Sequence, residues 1–287
     1  MTKQRVEIPV RAERTEVVAA ALWARGALGV WEQPGTLVAW FDTATALAEA
    51  PAGAGTLPEL SGDLTFIEEP DRDWQAEWKA TITPVRAGRA VVVPTWLANE
   101  HASEPDDLTL LLDPGRAFGS GHHATTLLCL AYLDELEREG ALAGARVADV
   151  GCGTGVLAIA AAAWGAHAQA VDIDPTAVEV ARANAAINGV QIDTATGSVD
   201  AIAPAPIVVA NLVTDVIVSL AEPLVAATEQ TLIVSGIATA RETRALGALE
   251  AAGAHAVDVQ HQDGWIAARL SVVADTTSAD QPVGGSE

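Results

Sequence analysis

One stretch of the sequence, residues 146–174, constrains the fold more than any other. It reads as a short apolar run, a glycine-rich turn, a run of helix formers and a second apolar run that ends in acidic residues. The four parts are residues 147–150, 151–155, 156–164 and 168–173. Two buried strands on either side of a helix form a βαβ unit. The stretch therefore predicts an α/β domain in which the glycine turn follows the first strand.

The spacing of the glycines indicates which ligand this turn accepts. Gly151, Gly153 and Gly155 follow the pattern G-x-G-x-G, and a dinucleotide fingerprint would require another glycine where Val156 stands. Glycines let the backbone approach a ligand, and the following helix directs its N–H groups toward it. A carboxylate at Asp172, at the tip of the second strand, can accept both hydroxyls of a ribose. The combination resembles the S-adenosylmethionine-dependent methyltransferases. A helix-packing turn beside a surface acid is the alternative, and it leaves the repeated glycines unexplained.

Length and charge limit the classes to which this chain can belong. Its 287 residues suffice for one large or two modest domains, and no apolar run reaches the length of a membrane span. The net charge of −22 argues against direct nucleic-acid binding, which requires clustered Lys and Arg, and favours a basic protein partner. The first residues lack a signal peptide's apolar core, so we expect a cytoplasmic protein. Cys129 and Cys152 lack metal-ligand spacing and are predicted to be buried free thiols.

The N-terminal segment predicts a small α+β domain. Its elements are a strand at residues 3–10, a helix at 13–26 and two strands at 28–33 and 36–42 around a Pro-Gly turn. A further strand at 64–67 would complete the sheet. No catalytic constellation occurs in this segment, so we expect it to bind a partner or to give structural support.

A tryptophan pair and two groups of short strands follow. Trp74 and Trp78 lie four residues apart on one face of a short predicted helix, where packing between domains is the simplest role. Two strands are predicted within residues 82–94 and a third at 108–112. This part of the chain is expected to connect the N-terminal domain to the catalytic body.

The loop at residues 113–126 is dense in glycine and small polar residues and leads into a long helix. Thr125 or Thr126 is expected to cap that helix. Three glycines and an aromatic residue exceed what a cap requires, so the loop is also expected to contribute to the ligand site. His122 and His123 are neighbours that point apart and lack an acid or cysteine to complete a ligand set, so no metal is expected.

A polar residue, Asn211, ends the strand predicted at residues 207–211. Ligands of open α/β sheets bind outside the carboxyl ends of the strands, so Asn211 is expected to face the same crevice as Gly151 and Asp172. A helix cap is the alternative role for this side chain. The remaining predicted elements are a helix to about 226, a strand at 231–235, a helix at 239–252 and strands at 255–261 and 264–270.

Taken in order, these motifs resemble those of the ribosomal protein L11 methyltransferases. The similarity covers residues 1 to about 270, and the His-x-Thr-Thr loop paired with Ala-Asn is more specific than the glycine turn. The motifs are the loop 113–126, the turn 151–155, Asp172-Ile173-Asp174-Pro175, Val209-Ala210-Asn211-Leu212, Ser235-Gly236-Ile237 and Asp263-Gly264-Trp265. The resemblance implies a seven-stranded, Rossmann-like methyltransferase sheet with a small N-terminal ferredoxin-like α+β domain.

The resemblance also implies an activity and a set of site residues. The activity is S-adenosylmethionine-dependent N-methylation of lysine side chains, and in some members of the N-terminal amine, of large-subunit ribosomal protein L11. The implied cofactor-binding residues are Thr126, Gly151, Gly153, Asp172 and Asn211. No strong general base is evident, and His122 is a candidate. The residues after Asn211 include no aromatic side chain to stack a planar substrate, which fits a tetrahedral amine.

The implied organisation separates substrate recognition from chemistry. It consists of a substrate-recognition domain at 1–70, a connector at 71–105, a methyltransferase domain at 106–271 and a disordered tail at 272–287. We expect a monomer whose partner is a basic ribosomal protein, with no direct contact to nucleic acid or membrane. Two alternatives stay open: a lysine methyltransferase of the same subfamily that acts on another protein, and a noncatalytic S-adenosylmethionine-binding module.

Overall fold

The computed structural model of the chain describes residues 3–11, 14–41, 66–69, 82–113 and 121–272. The chain divides into two compact units, Met1–Thr81 and Ile82–Glu287. Trp74, Trp78, most of the loop that follows Asp113 and the C-terminal tail lie outside the described residues.

The N-terminal unit contains a four-stranded antiparallel sheet and a helix. Its described elements are β1 (Lys3–Pro9), α1 (Thr15–Ala24), β2 (Gly29–Gln33), β3 (Thr36–Phe41) and β4 (Phe66–Glu69). The strand order β2-β3-β1-β4 is that of a ferredoxin-like sheet. Alternation along β1 buries Val6 and Ile8 in one cluster with Val18 and Leu22 of α1. The predicted strand-helix-strand-strand unit is confirmed, although β4 begins two residues later than expected.

A three-stranded sheet opens the second unit. It consists of β5 (Val85–Ala87), β6 (Ala90–Pro94) and β7 (Leu108–Leu112) in the order β5-β6-β7. β5 and β6 form an antiparallel hairpin, and β7 runs parallel to β6. The three strands predicted between residues 82 and 112 are therefore confirmed.

Seven strands form the large sheet of the second unit. They are β8 (Arg146–Val150), β9 (His167–Asp172), β10 (Asp193–Thr196), β11 (Ala205–Asn211), β12 (Thr228–Ala238), β13 (Ala254–Gln262) and β14 (Trp265–Val272). Their order is β10-β9-β8-β11-β12-β14-β13. The first five in that order run parallel, whereas β14 runs antiparallel to both of its neighbours. The predicted seven-stranded α/β sheet is confirmed.

Helices cover both faces of this sheet. They are α2 (Ala124–Arg138), α3 (Val156–Ala163), α4 (Pro175–Ile187), α5 (Thr214–Ser219), α6 (Ala221–Ala227) and α7 (Glu242–Ala251). Leu133 of α2 and Ile159 of α3 belong to the core on one face, and Leu224 of α6 and Leu249 of α7 to the core on the other. Alternation along the strands supplies both cores, because successive side chains of a strand point to opposite faces. The carboxyl ends of the parallel strands are left as the common edge.

Two predicted boundaries differ from the structure. The helix expected to reach about residue 226 is divided at Leu220 into α5 and α6. Pro223 explains the division, because a proline ring clashes with the carbonyl four residues earlier, here that of Ser219. β12 is longer than the predicted strand because it pairs with β11 on one side and β14 on the other.

Candidate active site

The glycine turn joins β8 to α3 in a conformation that only glycine adopts readily. Gly151, Gly153 and Gly155 have φ values of 75°, 52° and 79°. Space is limited as well, since a Cβ on Gly151 would overlap the Leu212 side chain. A Cβ on Gly155 would lie 2.8 Å from the Cβ of Ala181 in α4. The repeated glycines are therefore required by backbone conformation and by close packing.

A buried carboxylate lies beneath this turn. Asp149, near the end of β8, is 1% exposed, and its Oδ2 accepts the N–H of Ala158 at 3.2 Å. Ala158 lies in the first turn of α3, whose N-cap residue Gly155 has no side chain, so Asp149 provides the missing acceptor. Its Oδ1 has no hydrogen-bond partner within the described part of the chain. Burial raises the pKa of Asp149 to about 7, and the charge of Asp172 adds to the shift.

The carboxylate of Asp172 is held in place by the backbone on both sides. Its Oδ2 accepts the N–H of Gly153 at 2.9 Å, and its Oδ1 accepts the N–H of Asp174 at 3.0 Å. Asp174 in turn caps α4 through the N–H of Thr176 at 2.8 Å. Asp172 is thus fixed beside the glycine turn before any ligand binds. The next side chain, Ile173, is 78% exposed, which offers an apolar surface at the mouth of the crevice.

Asn211, at the carboxyl end of β11, contacts the first turn of α2. Its Nδ2 donates to the Thr126 hydroxyl oxygen at 3.3 Å, and Thr126 is buried. The bond orients the amide, because it directs the nitrogen toward Thr126 and leaves the carbonyl oxygen on the other side. The structure therefore brings together two residues that are 85 positions apart in the sequence.

The expectation that a threonine caps α2 is wrong. The helix begins at Ala124, so Thr125 and Thr126 lie within its first turn, and the N-cap residue is His123, which makes no side-chain cap. The Thr125 hydroxyl instead bonds with Nδ1 of His123 at 2.8 Å. The two hydroxyls are used in the site, one by Asn211 and one by His123.

The two adjacent histidines point to different partners, as predicted. Nε2 of His122 donates to the backbone carbonyl of Thr83 at 2.7 Å. The ring of His123 meets the indole of Trp265 edge to face, with centroids 5.0 Å apart. Burial lowers the pKa of His123, against the opposing effect of Asp263, so the neutral imidazole predominates at neutral pH.

Leu212 links the remaining parts of this edge. Its N–H donates to the carbonyl of Ser235 at 3.1 Å, and a Cβ on Gly236 would overlap the Leu212 carbonyl oxygen. Two residues further along β12, Ala238 pairs with Trp265 at the start of β14. Trp265 pairs with β12, β12 pairs with the strand that ends at Asn211, and Asn211 bonds to the His-x-Thr-Thr segment. That segment in turn contacts Trp265, so the contacts form a closed series. They enclose one side of the crevice next to the glycine turn.

Comparison with known proteins decides the family. A model described as ribosomal protein L11 methyltransferase (PrmA) matches residues 10–272. The chain belongs to the ribosomal protein L11 methyltransferase family. The protein of that name from Symbiobacterium thermophilum is 41% identical over 208 residues, which are 70% of this chain and 66% of that protein. The protein of that name from Ectopseudomonas mendocina is 44% identical over 224 residues, which are 74% of this chain and 71% of that protein.

A solved structure agrees with this assignment. The crystal structure of a ribosomal protein L11 methylase from Lactobacillus delbrueckii subsp. bulgaricus is similar, with a TM-score of 0.61 and 28% identity. The match covers 67% of this chain and 100% of that one. As a member of a methyltransferase family, the protein takes S-adenosylmethionine as methyl donor. The prearranged Asp172 carboxylate and the glycines of the turn fit this cofactor, since they offer a hydroxyl acceptor beside an unobstructed backbone.

Other ligand classes find little support in the ranges 3–11, 14–41, 66–69, 82–113 and 121–272. No group of three or more His, Cys, Asp or Glu in these ranges could hold a metal ion. Among the helices described, none has the length and hydropathy needed to cross a membrane. Cys129 and Cys152 are free and buried, as predicted.

Proposed function

We propose that this protein transfers methyl groups from S-adenosylmethionine to lysine side chains of ribosomal protein L11, with the N-terminal amine as a further acceptor. The observation that carries the proposal is the Asn211–Thr126 pair at the carboxyl end of β11. It stands at the same sheet edge as the glycine turn and the fixed Asp172 carboxylate, and the residues that follow Asn211, Leu212 to Thr214, include no aromatic side chain that could stack a planar base.

Five residues are proposed to hold the cofactor. Asp172 accepts the two ribose hydroxyls, because each of its oxygens has one backbone N–H donor and retains a further lone pair. Gly151 and Gly153 let the backbone approach the cofactor. Thr126 and Asn211 form the wall next to the transferred methyl group. Ile173 adds an apolar platform beside the ribose site, and its position was not expected from the sequence.

The acceptor is a primary amine, which must be neutral to react. A lysine side chain has a reference pKa near ~10.4, so at neutral pH it has to lose its proton in or before the site. When bound, S-adenosylmethionine would supply a sulfonium methyl group that the amine lone pair attacks in line with the S–CH3 bond, which breaks so that S-adenosylhomocysteine leaves as a neutral thioether. The Asn211 carbonyl oxygen can accept one amine N–H and so direct the lone pair toward that methyl group. The proton released from the amine leaves to solvent.

His123 and Trp265 are proposed to line the acceptor side. A neutral imidazole adds no positive charge against the incoming ammonium, and an indole face stabilises a cation. The geometry favours His123 over His122 as the residue nearest the chemistry, because Nε2 of His122 donates to Thr83. His122 is kept as a candidate base.

Substrate recognition is proposed to lie outside the catalytic unit. The N-terminal residues 1–70 are assigned to grasping the substrate protein, residues 71–105 to the connection and residues 106–271 to methyl transfer, with an acidic tail at 272–287. The net charge of −22 suits a basic ribosomal protein as partner and disfavours nucleic acid. We further propose a monomer that acts in the cytoplasm, where ribosomal proteins are made.

Methyl transfer from labelled S-adenosylmethionine to purified L11 tests the proposal. Labelled L11 with whole-methyl mass increments on lysine peptides is the expected result, and chemical acetylation of the L11 amines should abolish it. Asn211→Ala should lose transfer, whereas Asn188→Ala, at the C-cap of α4, should retain it. Labelling of another protein but not of L11 would show that the substrate is that other protein. Binding of S-adenosylhomocysteine without transfer to any protein would instead indicate a noncatalytic module.

A further inference from the structure

Asn184 is a buried side chain that joins the glycine turn to the end of β7. It lies on α4 and is 1% exposed. Its Nδ2 donates to the carbonyls of Thr154 at 3.0 Å and Asp113 at 3.1 Å, and its Oδ1 accepts the N–H of Asp113 at 3.1 Å. Thr154 belongs to the glycine turn, and Asp113 directly follows β7. One amide therefore bonds to two segments that come from different strands.

We infer that Asn184 is a positioning residue for cofactor binding, which fixes the glycine turn relative to the end of β7. The inference rests on the proposed function, because it concerns how the S-adenosylmethionine site is held in shape. Asn184 acts through the backbone of the turn, and it is not assigned a contact with the reacting atoms.

Three successive residues of the turn are each held by a different contact. The N–H of Gly153 is bound by Asp172, the carbonyl of Thr154 by Asn184, and Gly155 lies against Ala181. Ala181 and Asn184 are three residues apart on α4, so one helix face supports the turn at two points. These contacts fix the position of the glycine backbone and leave its other side available to a ligand.

The contact with Asp113 extends this support to the neighbouring segment. Asp113 begins the loop that leads to the His-x-Thr-Thr segment. The structure describes this loop at Asp113 and again from Gly121. Gly121 is packed so closely on Val92 of β6 that a Cβ would lie 2.6 Å from the Val92 side chain. Both described ends of the loop are thus attached to the three-stranded sheet, and Asn184 attaches that sheet to the glycine turn.

The same helix offers a matched control in Asn188. Its Nδ2 donates to the carbonyls of Leu111 at 2.7 Å and of Asn184 at 2.8 Å, and its Oδ1 accepts the N–H of Leu111 at 2.8 Å. Asn188 therefore binds β7 by the same chemistry one helical turn later. Its described bonds do not include the glycine turn, so its replacement separates loss of support for β7 from loss of support for the cofactor site.

Calorimetric titration of the full chain with S-adenosylhomocysteine, alongside thermal unfolding, tests the inference. We expect Asn184→Ala to weaken binding at least about tenfold and Asn188→Ala by less than about threefold, with similar losses of melting temperature, because buried hydrogen bonds are removed in both. Asn184→Ser, which keeps one polar group, should lie between the parent and Asn184→Ala. Equal loss of affinity in the two alanine variants would overturn the inference, since binding would then follow stability alone. Unchanged affinity in a folded Asn184→Ala would also overturn it.

Hydrogen exchange in the parent protein gives a second test that requires no variant. The Asp113 amide, donated to Asn184, should exchange at least about tenfold more slowly at saturating S-adenosylhomocysteine, while the Leu111 amide changes little. Equal responses of the two amides, or no response, would overturn the inference alone. A parent that does not bind S-adenosylhomocysteine would overturn the proposed function and the inference with it.

Discussion

Replacement of Asp149 by Asn isolates the electrostatic cost of the carboxyl group beneath the glycine turn. The side chain is buried, one oxygen has a single backbone donor, and the other has no partner in the described residues. Burial raises the pKa of Asp149 from 3.8 to about 7. Because the folded state holds the proton more tightly than the unfolded state, the stabilisation is complete below the unfolded pKa and is lost as pH rises to the folded pKa.

The magnitude follows from the pKa shift. A rise from 3.8 to about 7 is roughly three units, and at 1.36 kcal/mol per unit it corresponds to about 4 kcal/mol of stability lost across that range. The sequence pI near 4.4 makes work below about pH 5.5 impractical. Between about pH 5.5 and 8.5 the parent should still lose about 2 kcal/mol through this group, whereas Asp149→Asn has no such group to titrate.

Native-state hydrogen exchange of peptides from β11, at the centre of the sheet, measures this difference in the ligand-free protein. The stability of Asp149→Asn minus that of the parent should rise by about 2 kcal/mol over the pH window. The substitution also changes hydrogen bonding, but this contribution to stability does not depend on pH. It therefore cancels when the stability difference at one pH is compared with that at another. A difference that stays flat from about pH 5.5 to 8.5 would refute the reasoning, because it would mean that Asp149 is already ionised in the folded protein throughout this range.

Four further predictions concern the site and its surroundings. Asp172→Ala should weaken S-adenosylhomocysteine binding by about 1–3 kcal/mol in calorimetry, because the ribose hydroxyls lose a charged acceptor; an unchanged affinity would remove Asp172 from the site. Gly236→Ala should destabilise the protein by at least about 1–3 kcal/mol in urea unfolding, since its φ of 80° is strained for alanine and its Cβ would overlap the Leu212 carbonyl. Gly247→Ala, inside α7 with open space around it, should instead be neutral or stabilising by about 0.5–1 kcal/mol. Burial raises the pKa of the Cys129 and Cys152 thiols, so a thiol reagent should label them no faster than the protein opens; rapid labelling of the native protein would contradict this. Free L11 should be a better substrate than assembled large subunits. Its initial rate of methylation should fall as salt is added, because ions screen the charge attraction beyond a Debye length of ~8–10 Å. Equal rates that do not depend on salt would show that the net charge of −22 has no role.

Sequence spacing was sufficient to place the residues that lie at the carboxyl end of a strand. Gly151, Asp172 and Asn211 could be placed at one edge because parallel strands bring their carboxyl ends together. Asn184 could not be recognised in this way, since its partners lie 30 and 71 residues away and only the packing of α4 brings them into reach. Asp149 lies in a mainly apolar run. That run correctly predicts a strand, but it does not indicate that the carboxyl group is buried.

Helix and strand ends were less predictable because tertiary contacts determine them. Thr125 has the chemistry of a cap and would start the helix at Thr126, yet the helix starts two residues earlier, after His123, whose ring packs against Trp265. Pro223 signals the break between α5 and α6 only when its clash with the preceding turn is considered. The length of β12 depends on β14, a strand distant in the sequence that pairs with it, as at Ser235 and Ala267.

The direction of β14 determines when during translation the enzyme becomes complete. Its antiparallel course places its first residue, Trp265, at the active edge, and inserts the strand between β12 and β13. The glycine turn leaves the ribosome more than a hundred residues earlier, from Gly151 to Trp265 in the chain. A nascent chain therefore exposes its cofactor motifs long before it has the wall proposed to face the acceptor, and β12, once made, lacks one neighbour until β14 follows. Methylation should begin only after β14 has been made and has paired with β12, and any premature stop before Trp265 should yield a protein without activity.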